Sequence, residues 1–69
     1  MTDLGRLITQ QRHAAGMTQA QLADGAGITQ AALSRIENGK TSPRLSTVER
    51  IAHALGRPLT LTVGDTTGV

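Results

Sequence analysis

The sequence predicts an all-α fold: a compact domain of four helices followed by one short C-terminal β-strand. Three observations carry this. Apolar residues recur at helical spacing in four windows, each window opens on a side chain able to cap a helix and closes on a glycine, and residues 59–63 alone alternate apolar and polar. At 69 residues the chain suits a single domain. A domain this small buries only about 60% of its unfolded surface, so a partner or a dimer is expected to support it.

Asp3 can cap the first helix, Leu4, Leu7, Ile8, Gln11 and Ala15 mark its inward face, and Gly16 ends it. Thr18 caps the second, and Gln21 three residues later completes a capping box. Leu22, Ala23 and Ala26 share that helix's buried face, and Gly25 and Gly27 stop it. Thr29 caps the third helix, which buries Leu33 and Ile36; Ile28 fills the junction before the cap, and Asn38-Gly39 ends the helix. Thr41-Ser42-Pro43-Arg44 reads as a loop. Ser46 and Glu49 then form a capping box for a fourth helix that buries Val48, Ile51, Ala52 and Leu55 and closes at Gly56.

Pro58 forbids simple continuation, and Leu59, Thr60, Leu61, Thr62 and Val63 form the strand. A lone strand cannot satisfy its backbone groups. It either pairs with its own copy in a second subunit, waits disordered for another chain, or lies over the core as extended coil; a symmetric two-stranded ribbon is the preferred reading. The expected organisation is a domain over residues 1–58, a dimerisation strand over 59–63 and a flexible tail over 64–69.

The middle pair of helices carries the most information. Two helices crossing steeply approach closely only where a side chain is small, which suits Ala23, and the sharp reversal between them favours glycine at Gly27. On the third helix Gln30, Ala31, Ser34 and Arg35 are left over from the core and point outward. Arg35, Lys40 and Arg44 follow one another along that helix and the loop after it, interrupted only by Glu37. This pattern reads as a helix-turn-helix offering its second helix to DNA. The plain alternative is two core helices of an ordinary all-α domain; Gln19 and Gln30 at the two helix starts weigh against it.

Composition narrows the partner. The chain has no cysteine, which excludes a disulfide framework and a thiolate metal site and fits a reducing cytoplasm. It has no aromatic residue, so base stacking of the kind used by single-strand and RNA readers has few side chains to use, and duplex DNA fits better. No apolar run reaches the roughly 20 residues of a membrane span, and the N-terminus lacks the basic start and apolar segment of a signal peptide, so no membrane partner is expected. An enzyme needs a nucleophile, base and stabiliser that converge, or a metal. His13 and His53 fall on separate helices, Asp24 and Asp65 have no partners, and no cofactor, metal or small-molecule ligand is expected.

Arg12, Gly16-Met17-Thr18-Gln19, Leu22-Ala23, Gly27-Ile28-Thr29, Ser34-Arg35-Ile36-Glu37-Asn38-Gly39-Lys40, Pro43, Ile51-Ala52 and Ala54-Leu55-Gly56 together resemble the Cro and phage-repressor (Xre) type of helix-turn-helix family over residues 4–56. The resemblance implies a λ-repressor-like fold and sequence-specific binding of a double-stranded operator. Within that family, Leu4-Gly5-Arg6-Leu7-Ile8 and the stretch from Ala54 to Val63 resemble antitoxin repressors that dimerise through a short C-terminal strand and work with HipA-type kinase toxins.

The resemblance also implies roles for single residues. Gln30 would read a base in the major groove, which suits an amide facing adenine's edge. Gln19 would touch a phosphate and steady Gln30, and Thr18 and Thr29 at the same helix starts join it on the phosphate side. Arg35 would contact either a guanine or a phosphate. Ala31 and Ala32 stand where many relatives carry longer polar groups, leaving at most a methyl contact with thymine. Lys40 and Arg44 would line the backbone, with Arg44 able to enter a narrowed minor groove, and Asn38 would add a phosphate bond. Arg12 and Glu37 would form a buried structural ion pair.

The reading that results is a small homodimeric regulator on a palindromic operator, a repressor by preference, although activation by touching polymerase stays open. The rival reading is a protein-interaction module that keeps the shape without the DNA. Arg35, Lys40 and Arg44 argue against it, because a protein-only role gives no reason for a basic face there.

Overall fold

The computed structural model describes residues 3–56, which form four helices: α1 (Leu4–Ala14), α2 (Gln19–Ala26), α3 (Gln30–Glu37) and α4 (Leu45–Leu55). The strand expected over 59–63, the tail over 64–69 and Pro58 lie outside the described residues. Among the described residues no helix is long and apolar enough to cross a membrane.

Local chemistry starts three of the helices where the sequence places them. The Asp3 carboxylate accepts from the Arg6 backbone N–H at 3.2 Å. At Thr18 the capping box is reciprocal: its hydroxyl accepts from Gln21 N–H at 3.0 Å while the Gln21 side-chain Oε1 accepts from Thr18 N–H at 2.9 Å. The Thr29 hydroxyl accepts from Ala32 N–H at 3.0 Å.

The core is built from one stripe of each helix. Ile8, Leu22, Leu33 and Ile51, one from each, are fully buried, and Ala23, Ala26, Ile36 and Leu55 complete the cluster. Packing them removes apolar surface from water at about 25 cal/mol per Å2, the chief force holding so small a domain together. α2 packs on both α3 and α4, while α1 packs on α3.

Four expectations are corrected. Gly25 does not help to stop α2; it lies inside the helix, and a Cβ there would sit 3.2 Å from Ala54 Cβ, so its smallness serves the packing of α4. Ala15 falls outside α1 and is exposed, because the helix has already ended at Ala14. Ala52 is half-buried rather than core, since Val48, Ile51 and Leu55 fill the central stripe. Ser46 and Glu49 form no capping box: Arg44 is the N-cap residue and its side chain makes no cap bond. The Arg44 carbonyl already accepts from Thr47 and Val48, at 2.9 and 3.0 Å, so the first turn closes ahead of Ser46.

One glycine is fixed by space alone. Gly5 is buried in α1 against the C-terminal end of α3, where a Cβ would meet the carbonyl oxygens of Ile36 and Glu37, the latter at 2.6 Å.

Candidate nucleic-acid interface

The turn between α2 and α3 sets the angle at which α3 is presented. Gly27 takes φ +72°, a left-handed conformation that a side chain would strain. There it donates its N–H to the Asp24 carbonyl at 3.2 Å, and Ile28 donates to Ala23 at 3.0 Å, the paired bonds of a Schellman closure. The Ile28 side chain packs on the core and pins the turn.

From this support α3 offers Gln30, Ala31 and Arg35 to solvent, all exposed; Ser34 is only half-buried and lies at the edge of the offered face. Thr18 and Thr29 are exposed but their hydroxyls already cap α2 and α3. The Asn38 amide donates to the Ser34 carbonyl at 2.9 Å and lies 3.3 Å from the Ser34 hydroxyl, so it closes the end of α3.

The same helix end holds the basic loop in place. Lys40 donates its backbone N–H to the Arg35 carbonyl at 2.9 Å and Gly39 donates to Ile36 at 3.1 Å, which returns the chain beside α3. Arg35 and Arg44 thereby line one open concavity of about 300 Å3, together with Ala32, Ser42, Pro43 and Thr47. Arg44 also stands at the N-terminal end of α4, whose N–H groups no side chain caps. Two guanidinium groups and the positive end of a helix dipole therefore meet at one concavity, and the exposed Lys40 follows α3 in the same loop, its backbone held by the Arg35 carbonyl. Such a surface attracts polyanions.

A polar cluster at the end of α3 is built on the Arg12–Glu37 pair that the family resemblance implies. Arg12 donates Nε to Glu37 Oε2 at 2.8 Å, Nη2 to Oε1 at 3.1 Å and Nη1 to the Met17 carbonyl at 3.0 Å. The two side chains are 11% and 5% exposed, so the pair is largely shielded from water. Burial pushes the Glu37 carboxyl up, but hydrogen bonds from Arg12 and Gln19 and the Arg12 charge outweigh it and hold the group below its ordinary value.

Gln19 is where the structure adds most. Its Nε2 donates to Glu37 Oε1 at 3.0 Å, and Gln30 receives no bond from it. The sequence did not reveal this contact, nor the close approach at Gly5. A glycine amid good helix formers in the first turn of α1 was the available signal for the second; nothing local signals the first.

The remaining candidates stay apart. His13, His53 and Asp24 are exposed on three different helices, and the described residues hold no group of three side chains fit to bind a metal.

A family profile described as Helix-turn-helix matches residues 8–61. The chain is 43% identical over 51 residues to an uncharacterized HTH-type transcriptional regulator of Methanothermobacter thermautotrophicus, covering 74% of each protein. It is 38% identical over 64 residues to the immunity repressor protein of Bacillus phage phi105, covering 93% of this chain but only 44% of that repressor. Among solved structures it is similar to the clp gene regulator ClgR from C. glutamicum, with a TM-score of 0.80 and 26% identity over 83% of this chain and 74% of that one. The restriction-modification controller protein C.AhdI from Aeromonas hydrophila shares the fold, with a TM-score of 0.80 at 24% identity over 83% of this chain and 86% of that one.

Proposed function

Because this chain belongs to the Cro/C1-type helix-turn-helix family of DNA-binding transcriptional regulators, which are not enzymes, we propose that it acts as a homodimeric repressor on a palindromic operator. Two copies of α3 enter successive major grooves with centres about 34 Å apart. The observation that carries this reading is the exposed face of α3, with Gln30, Ala31 and Arg35 outward beside the basic loop.

Gln30 reads a base edge, Ala31 leaves room for a thymine methyl, and Ser34 borders the contact. Arg35 is close enough to the Arg44 concavity to serve a phosphate as well as a guanine. Lys40, Arg44 and Asn38 follow the backbone on one side; Gln19, Thr18 and Thr29, at the N-terminal ends of α2 and α3, take it on the other. The likeness to a phage immunity repressor supports repression over activation. Residues 59–63 pair across the dimer, as their alternation suggests.

The resemblance of residues 4–8 and 54–63 to antitoxin repressors adds a kinase toxin as a second partner. A kinase-toxin gene beside this one, and co-purification of its product with this chain, would support that addition.

The test is fluorescence anisotropy of a labelled duplex from immediately upstream of the gene, titrated at two salt concentrations with excess unrelated duplex present. Binding that survives the competitor supports operator recognition. Binding lost to it, there and across a random-sequence duplex pool, would point instead to a protein-only partner.

A further inference from the structure

The contact between Gln19 and Glu37 constrains more than packing. A glutamine amide has two ends of nearly equal shape, one a donor and one an acceptor, and a carboxylate can take only the donor. Glu37 Oε1 receives Gln19 Nε2 at 3.0 Å and Arg12 Nη2 at 3.1 Å, while Oε2 receives Arg12 Nε at 2.8 Å. The amide is therefore sorted by its neighbour. Gln19 is the first residue of α2 and only half-buried, and a side-chain amide nitrogen carries two N–H groups, of which the carboxylate bond uses one.

We infer that Glu37, with Arg12 behind it, is a positioning residue for the DNA-backbone contact of Gln19: one N–H of the amide rests on the carboxylate and the other is left for a phosphate oxygen. This rests on the DNA-binding reading above. A free glutamine side chain surrenders much rotamer freedom when it docks, and one tethered beforehand surrenders less. Arg12 makes the arrangement workable. By holding both carboxylate oxygens it cancels a negative charge that would otherwise repel the arriving phosphate. Glu37 touches no DNA itself; it acts through Gln19. The same three residues connect α1, the start of α2 and the end of α3, so the amide is fixed relative to the reading helix.

The test is a double-mutant cycle on affinity, using a duplex that the wild-type protein selects from a random pool. Four proteins are compared: wild type, Gln19→Ala, Glu37→Gln and the double variant. Glu37→Gln alone is expected to weaken binding about fivefold, the worth of one ordinary hydrogen bond, and to add almost nothing in the Gln19→Ala background. A merely structural glutamate would lower affinity equally in both backgrounds, and that result would overturn the inference. Tighter binding by Glu37→Gln would overturn it too, because Gln19 would then have to leave the carboxylate to reach DNA. If the wild-type protein selects no duplex, the DNA-binding reading falls and this inference with it; selection followed by equal losses removes the inference alone. Should Glu37→Gln fail to fold, 15N relaxation of the Gln19 side-chain amide in the free wild-type protein decides. An amide as ordered as the backbone is expected, and a freely moving one would refute the tether.

Discussion

Arg12 and Glu37 stand 25 positions apart in the chain, yet the guanidinium holds the carboxylate at two points, Nε to Oε2 at 2.8 Å and Nη2 to Oε1 at 3.1 Å. The bond joins α1 to the last residue of α3. Such a fork is geometrically specific and leaves neither charge alone in a shielded place.

Removing one partner should therefore be costly. Arg12→Met is expected to lower unfolding stability by about 3–5 kcal/mol, because Glu37 keeps a buried charge with its main partner gone. Urea denaturation measures it. The double variant Arg12→Met/Glu37→Leu should recover most of the loss; a double variant as unstable as the single would mean that packing around Arg12, not the lone charge, set the cost.

Gly5 makes the opposite prediction from helix propensity. An isolated helix would gain up to about 1 kcal/mol from glycine to alanine. In this fold the added Cβ falls on the Ile36 and Glu37 carbonyl oxygens, and α1 must shift. Gly5→Ala is expected to destabilise by about 1–3 kcal/mol, the usual cost of overpacking. A raised thermal midpoint would show that α1 can move away freely.

Glu37 also sets a pH dependence. Its carboxyl in the folded chain lies below the ordinary value of 4.5, so the folded state holds its proton less tightly than the unfolded state does. The stability it contributes is fully present above about pH 4.5 and is lost as pH falls from there through the folded value. Denaturation of wild type and Glu37→Gln between neutral pH and pH 3 tests this. The gap between the two should close towards acid, and a constant gap would deny the charge any part in it.

On the outer face, Gln30→Ala is expected to relax base preference at a cost of roughly 1–3 kcal/mol, whereas Lys40→Ala should weaken all duplexes alike and reduce the salt slope by about one. Anisotropy titrations against the operator and its single-base variants separate the two. Intact specificity in Gln30→Ala would give the reading role to another residue.

Deleting residues 59–69 is expected to yield monomers with much poorer operator affinity. Light scattering gives the mass directly, and an unchanged mass would take the proposed strand out of the dimer.

Much of the fold was legible because its signals are local. Thr18 with Gln21, Thr29, Gly27 and Asn38-Gly39 mark ends through bonds that span three to five residues, and such bonds form wherever the chain permits them. The exposed face of α3 followed from the same periodicity that buries Leu33 and Ile36. The misplacement at Ser46 shows where local reasoning fails, since two good capping residues lost to a backbone turn that had already closed at Arg44.

By itself, then, the sequence determined four helices, most of their caps, the buried stripe of each and the basic run beside α3, all of which depend on neighbours within a turn or two. The helix-turn-helix resemblance supplied Arg12 with Glu37 as partners, though not their geometry. Only the tertiary structure decided that Gly5 lies against α3, that Arg35 and Arg44 share one concavity, and that Gln19 gives an amide N–H to Glu37, 18 positions away. The physical reason is that a side chain's hydrogen-bond partner across helices depends on where rigid elements come to rest, and that is settled by the packing of Ile8, Leu22, Leu33 and Ile51.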